Sequence, residues 1–397
     1  MKLSSDDLPM FFTAEHAALA ERLRAAAARI AAIEDPSWQA TEDERDRAAS
    51  AALGELGLYD LVVPTGAGGT SRAAPVIASP SVDTRALCLA REMLGYVSAR
   101  ADSILAVQGL GTHPLVLAGS PAQRAALDAF ARGTHVAAFA LTEPEAGSDV
   151  ASIQTRAVAD GDGYRLDGDK LFISNLGLAE HATVFASTDP TLGGRGLTAF
   201  WVPLDTPGVT VRPLTAIAAH PIGALELRDV RLPAAARIGE VGQGMKLALQ
   251  TLDAFRVSVG AAAVGMARRA LDEALAFVTG RVQFGKPLAE QPLVQAHLAD
   301  MVVDLDAARL LVLRAAHAKD TTDRKVTTEV SIAKLGATEA AQRVIDRAVQ
   351  LFGGRGVMAG AIVEHLYRAI RPLRIYEGTS EIQRTIIGRA LAQGAAR

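Results

Sequence analysis

Apolar residues near the start of the chain recur at steps of three and four. Leu19, Leu23, Ala26, Ile30 and Ile33 fall on one side of a helical period, so a helix buried along that stripe is predicted. A second helix is predicted from Glu42 to Leu56, ending at Gly57. VVPTGAGGTSRAAPVIASPS then reads as a Gly/Pro/Ser-rich loop, and helical periodicity resumes from Asp83 to Phe130, with a break expected near GLGTHPL. From about Gly133 to Ala236 the pattern changes to short runs rich in β-branched and aromatic residues, such as YRLDGDKLFIS, ATVFAST and LTAFWVPL. Asp160-Gly161, Asp162-Gly163 and Asp167-Gly168 between or within these runs favour hairpins. Strands that follow one another without intervening helices predict an antiparallel β domain.

From Ile238 the pattern is helical again. One long helix is predicted from Gly244 to Gly280, two more over 290–319 and 325–352, a short piece over Ile362–Ala369 and a last helix from Ser380 to Ala392. The expected fold class is α+β, with an N-terminal α-helical domain (1–132), a middle antiparallel β domain (133–236) and a C-terminal four-helix bundle (237–397).

Composition narrows the function classes. At 397 residues with 49% hydrophobic content and a mean hydropathy of +0.18, the chain is expected to fold as two or three domains. Forty-one basic against 44 acidic residues give a net charge of -3, with no electrostatic case for nucleic acid or an anionic membrane as partner. Cys88 is the one cysteine, which excludes an intramolecular disulfide and fits a reducing cytoplasm. The N-terminal stretch carries acids where a signal peptide needs an apolar run, so export is not expected. The most apolar segment, Val257–Ala267, has about half the length of a membrane span and is closed by Arg268 and Arg269. The eight histidines lack paired metal-ligand spacing, so no metal is expected.

Two motifs are weak. GRVQFGKP (Gly280–Pro287) matches most of a phosphate-cradling loop, but Pro287 stands where a hydroxyl would hold magnesium and the preceding segment is helical. GGRG occurs at Gly193 and at Gly353, neither after a strand of a βαβ unit.

Other stretches carry candidate chemistry. ALTEPEAGSDVASIQT (Ala140–Thr155) ends a strand with hydroxyls and backbone amides suited to the polar edge of a ring or to an anion, and read alone is also an ordinary loop. LFISN (Leu171–Asn175) offers an aromatic, an aliphatic and a hydroxyl together. In RIYEGTSEIQR (Arg374–Arg384) a lone acid, Glu377, stands between an aromatic and a glycine just before a predicted helix. It is either a solvated loop acid or a base aimed by a chain reversal.

Taken in order, LTEPEAGSD, LFISN, RVQFGKPL, QLFGGRGV and RIYEGTSEIQ on an α–β–α chain resemble the acyl-CoA dehydrogenase family of flavoenzymes over nearly the whole length. The resemblance implies FAD between the β domain and the bundle, an adenine end that touches a neighbouring subunit, and a homotetramer. It implies that Thr142 and Ser174 hydrogen-bond the isoalloxazine, with Phe172 and Ile173 beside it, and that Ser148 meets the cofactor site and the thioester arm of the substrate. Arg281, Gln283 and Phe284 match the segment that reaches a neighbour's FAD, and Gln350, Leu351, Gly353 and Gly354 the other half of that site. Thr379 and Glu381 again match cofactor contacts. Asp253, Arg256 and Gly378 match positions on the acyl-CoA side, although Asp253 and Arg256 are equally explained as an intrahelical ion pair.

Glu377 matches the catalytic base. The implied reaction is α,β-dehydrogenation of an acyl-CoA to a trans-2-enoyl-CoA in fatty acid metabolism, with electrons passed to an electron-transfer flavoprotein. The alternatives are an acyl-CoA oxidase on the same scaffold, against which the lack of a long C-terminal extension weighs, and a catalytically silent acyl-CoA or flavin-binding protein. The chain departs from the family pattern at Phe172, where many members have tryptophan, and at Pro292, where glutamine is usual after FGK. It also lacks the Ser/Thr/Arg group before ALELRDV and the aromatic before the paired glycines of PTGAGG.

Overall fold

The computed structural model describes residues 7–64 and 81–394, so most of the loop expected over 62–81 lies outside the described residues. Helices α1 (Ala14–Ala31), α2 (Glu42–Glu55), α3 (Thr84–Val97), α4 (Ala99–Ala118) and α5 (Pro121–Ala131) come first. Strands β1 (Ala137–Ala140), β2 (Arg156–Asp160), β3 (Gly163–Ser174), β4 (His181–Ser187), β5 (Leu197–Pro203), β6 (Val209–Pro213), β7 (Ile222–Pro233) and β8 (Arg237–Ile238) follow. Then come α6 (Gly244–Gly280), the two-residue strands β9 (Val282–Gln283) and β10 (Lys286–Pro287), α7 (Pro292–Thr321), α8 (Thr327–Phe352), α9 (Ile362–Ile370) and α10 (Ser380–Ala392). The fold class is the one the sequence predicts: helices, then a sheet, then helices.

By its contacts the chain forms two compact units. One, comprising 1–31, 84–99 and 256–397, is helical among its described residues apart from the β9–β10 pair. In it α1 buries Leu19, Leu23 and Ile30 and packs on α3, α3 packs on α7, and α8 packs on α7, α9 and α10. Its core is made of small and branched residues, among them Val264, Leu305, Val312, Val344 and Ile370, with Cys88 buried beside them.

The other unit, 32–83 with 100–255, holds the sheet. The strand order is β6-β7-β3-β2-β4-β5-β8, and β1 pairs with β4. Pairing is antiparallel as expected, except that β4 runs parallel to β1 and, at one position, to β2. Asp160-Gly161-Asp162-Gly163 makes the β2–β3 hairpin. Asp167-Gly168 does not turn the chain: it lies inside β3 as an irregularity where Gly168 lets the strand pass Thr155, whose Oγ1 would stand 2.5 Å from a Cβ.

The break expected at GLGTHPL is also absent. α4 runs through it with Pro114 inside, and the interruptions fall at Ser98 and Gly119. The glycines there serve close packing: a Cβ on Gly109 would meet the Phe255 ring at 2.5 Å, and one on Gly111 the Ala137 Cβ at 2.8 Å.

α6 is long and apolar enough by length and composition to cross a membrane, but 72% of its most apolar stretch is buried inside the protein. Burial in a core produces the same composition.

Candidate active site

The helical unit turns sharply between α9 and α10. Glu377 has φ +52° and Gly378 φ +92°, two successive left-handed residues. That backbone costs a residue with a Cβ on the order of 1–2 kcal/mol. Position 378 favours glycine because φ +92° strains any residue with a Cβ, which would also meet Gln383 Nε2 at 2.5 Å.

Three side chains hold the reversal by donating to its carbonyls. Arg256 Nε reaches Glu377 O at 3.0 Å, Lys334 Nζ reaches Gly378 O at 2.8 Å and Gln383 Nε2 reaches Gly378 O at 3.0 Å. They come from α6, α8 and α10, and all three are buried. Thr379 caps α10 by accepting from Ile382 N–H. Ser380 Oγ donates instead to Glu339, which also accepts from Arg374. Burial pushes the Lys334 amine down to about 8, against the Glu377 charge, which raises it. The Glu377 side chain is half-buried.

At the other end of the helical unit, Phe277 of α6 stacks on Phe352 of α8 with ring centroids 4.3 Å apart. This brings two predicted segments, 281–284 and 350–354, to one end of the unit. The first is a β9–β10 hairpin with Phe284 and Gly285 at its tip, φ +53° and +79°. Positive φ at both central residues is a type I′ turn, where asparagine or glycine is usual. Here the first is a phenylalanine that is 94% exposed. Gly353 has φ +59°, and nothing lies within 4 Å of where a Cβ on Gly353 or Gly354 would sit. Gln350 is exposed and Leu351 buried. The phosphate-loop reading of GRVQFGKP has no support, because the segment is a hairpin after a helix.

The sheet unit carries the other predicted residues. Glu143 is buried and accepts from Thr155 N at 3.0 Å, Lys170 Nζ at 2.8 Å, Gln154 N and Thr155 Oγ1. Burial opposes its ionisation, but the Lys170 ammonium and these hydrogen bonds outweigh that and hold the carboxyl below its usual value. Lys170 also donates to Leu141 O, and Leu171 N–H to Thr142 O at 2.9 Å. The loop bearing Thr142 is thereby fastened to β3.

Just beyond, β3 slips register against β7 between Lys170 and Ile173. The extra residue re-aims the strand. Phe172 has φ +59° and is 62% exposed, whereas Ile173 turns into the apolar core and Ser174 is half-buried. Asn175, also left-handed, ends the strand by donating to Ile104 O and Ala137 O. Ser148 lies exposed in the loop before β2. In the same unit an open cavity of about 690 Å³ is lined by Leu192, Gly194, Arg195, Gly242, Met245, Lys246, Leu249 and Gln250. The first GGRG thus forms one wall of a cleft against the start of α6. Asp253 lies half-buried further along that helix.

Among the described residues, five non-glycine positions have positive φ, and three of them are predicted site residues: Phe172, Phe284 and Glu377. Strain of this kind concentrates where function over-determines the backbone.

The chain matches the acyl-CoA dehydrogenase N-terminal, middle and C-terminal domains over 13–134, 138–230 and 242–392. A probable acyl-CoA dehydrogenase of Bacillus subtilis is 39% identical over 345 residues, 85% of this chain and 88% of that one. The chain belongs to the acyl-CoA dehydrogenase family. It is therefore an oxidoreductase of a flavoprotein family that acts on acyl-CoA. Among solved structures, butyryl-CoA dehydrogenase from Megasphaera elsdenii is 34% identical with a TM-score of 0.83, covering 94% of this chain and 98% of that one. A glutaryl-CoA dehydrogenase from Mycobacterium smegmatis in complex with FADH2 is 28% identical with a TM-score of 0.83, covering 99% and 98%.

Four residues that hold candidate positions escaped the sequence reading: Lys334 and Gln383 in the helical unit, and Glu143 and Lys170 in the sheet unit. Lys334 had a signal, since it interrupts the buried face made by Val330, Ala333 and Ala337 on α8. A charged residue on a buried stripe needs a partner.

Proposed function

We propose that the enzyme carries out FAD-dependent dehydrogenation of an acyl-CoA thioester to a trans-2-enoyl-CoA, with Glu377 as the base and an electron-transfer flavoprotein as acceptor. The observation that carries this reading is the left-handed Glu377, fixed by donors from three helices on the carbonyls at 377 and 378. A solvated loop acid needs no such support.

The residues present fit a flavin. Phe172 offers an exposed aromatic side chain on the strand that carries Ser174, next to Leu171, which bonds the Thr142 backbone, and the Glu143–Lys170 pair pins that backbone. FAD, when bound, would supply the acceptor for the β-hydrogen as hydride, a role that the side chains here do not offer. Glu377 takes the α-proton on its carboxylate, and the electron pair left behind forms the new double bond. The acyl chain packs over the carboxylate, excludes water and strengthens it as a base. Thr379 and Glu381 open α10, whose N-terminus offers backbone N–H groups to the cofactor. Arg281, Gln283 and the Phe284 tip, with Gln350, Leu351, Gly353 and Gly354, are assigned to a neighbouring subunit's FAD in a homotetramer. An exposed, strained phenylalanine supports that assignment, because it gains nothing within its own subunit. Ser148, Asp253, Arg256 and Gly378 are assigned to the acyl-CoA side. The cleft with Arg195 and Lys246 suits the phosphates of CoA.

A panel of saturated acyl-CoAs from four to sixteen carbons, scored anaerobically by bleaching of bound flavin, tests the reading. One or more should bleach it. Protein that binds FAD yet is bleached by none contradicts it, and fast reoxidation of the bleached enzyme by oxygen would move the assignment to an oxidase.

A further inference from the structure

We propose that Lys334, a buried amine on α8, is a positioning residue for Glu377: it holds the chain reversal through Gly378 and, as a cation, keeps the neighbouring carboxylate ionised and ready to accept a proton. The inference rests on Glu377 being the base.

Lys334 has no exposed surface, yet its Nζ ends 2.8 Å from Gly378 O, the carbonyl next to Glu377. A glutamine already donates to that same carbonyl at 3.0 Å, so satisfying the backbone alone does not require a lysine. Burying an ammonium costs several kcal/mol unless an anion offsets it. The surrounding charges identify that anion. The turn is faced by Arg256 from α6, Lys334 and Glu339 from α8, Arg374 before the turn, and Glu381 and Arg384 from α10. Glu339 is engaged by Arg374 and Ser380, and Glu381 is exposed at the start of α10. Glu377 is the acid that most raises the affinity of Lys334 for its proton, and Arg256 opposes it.

A cation near a carboxylate favours its ionised form over the protonated one. The resting base is therefore held as carboxylate. Arrival of substrate, which excludes water, then raises its basicity from a charged starting state. A hydrogen bond from the same amine fixes the left-handed backbone that aims it.

The test uses Lys334→Gln, which keeps a neutral donor and removes the charge, in FAD-loaded enzyme. The probe is the acyl-CoA that bleaches wild-type flavin fastest, followed by stopped flow from pH 5 to 9. Flavin reduction at pH 7 should fall roughly 10- to 100-fold, as misplacement of a reacting group does. The acid limb of the profile should move to higher pH, while dithionite reduction and FAD content stay as in wild type. An acid limb that stays where wild type has it overturns the proposal, whatever the rate, because a purely structural lysine changes rate without moving that limb.

If Lys334→Gln yields no holoenzyme, Glu377→Gln decides. With the carboxylate gone, Lys334 in the folded chain binds its proton more weakly still, relative to an ordinary value of 10.5. Stability is then lost at pH 7 and regained as pH rises toward that value. Arg256 does not titrate in this range, so the melting-temperature deficit against wild type should shrink between pH 7 and pH 10. An equal deficit at both pH values overturns the proposal. The reading beneath it fails separately: Glu377→Gln enzyme that bleaches normally removes Glu377 as base. A dead Glu377→Gln with an unmoved Lys334→Gln profile removes only the role of Lys334.

Discussion

Replacing Glu143 by glutamine leaves the Lys170 ammonium buried opposite an uncharged amide. The lysine side chain is fully enclosed, with Nζ 2.8 Å from Glu143 Oε1 and 3.2 Å from Leu141 O, so water cannot take the place of the carboxylate. Breaking a buried pair from one side costs about 3–5 kcal/mol. Titration sets a ceiling on that cost, because the amine can escape by losing its proton. At pH 7 this costs about 1.4 kcal/mol per unit below its ordinary 10.5, or roughly 5 kcal/mol.

The sign with pH follows. In the variant the folded chain holds this proton more weakly than the unfolded chain, so stability rises with pH by about 1.4 kcal/mol per unit up to that ordinary value, or ~2.7 kcal/mol from pH 7 to 9. Burial pushes wild-type Lys170 down to about 8, against the Glu143 charge, so wild type gains less over the same span. Urea denaturation at saturating FAD is the assay. The variant should be less stable by about 3–5 kcal/mol at pH 7, with a smaller gap at pH 9. A cost under about 1 kcal/mol, or a gap that ignores pH, would refute the charged pair as the fastener of the Thr142 loop.

Three other outcomes are expected. Gly378→Ala forces a Cβ against Gln383 and strains the turn, so it should cost about 1–3 kcal/mol by thermal denaturation and lower turnover more than it lowers FAD content. Phe284→Ala removes an exposed side chain, so subunit stability should change by less than about 0.5 kcal/mol while FAD retention on dilution falls. Lys246→Ala should raise the KM for acyl-CoA without lowering kcat, and the rise should vanish for a pantetheine thioester that lacks the nucleotide phosphates.

The sequence made the helices of the C-terminal half legible to within a residue or two. α6 starts and stops at Gly244 and Gly280, and α10 spans Ser380–Ala392, because long apolar periodicity with capping residues specifies both face and ends. What the sequence hid was tertiary in origin. Gly109, Gly111 and Pro114 look like a break but lie inside α4, where the glycines admit Phe255 and β1. Asp167-Gly168 looks like a turn, but close passage of Thr155 makes it an irregularity within one long strand. At the site, YEGT pointed to a chain reversal before a helix, and both are present. Two of the three donors that hold the left-handed glutamate lie 121 and 44 positions from the carbonyls they reach, which no local pattern encodes.

The central claim is that Glu377 is the base. Glu377→Gln keeps the shape and hydrogen-bonding capacity of the side chain but cannot take up the α-proton as a carboxylate. Under single-turnover, anaerobic conditions with the acyl-CoA that bleaches wild type, flavin reduction should fall roughly 10²–10⁴-fold, the usual cost of losing a general base. FAD content, acyl-CoA binding and reduction by dithionite should persist. Bleaching by substrate at a near wild-type rate in a variant that holds FAD would contradict the account.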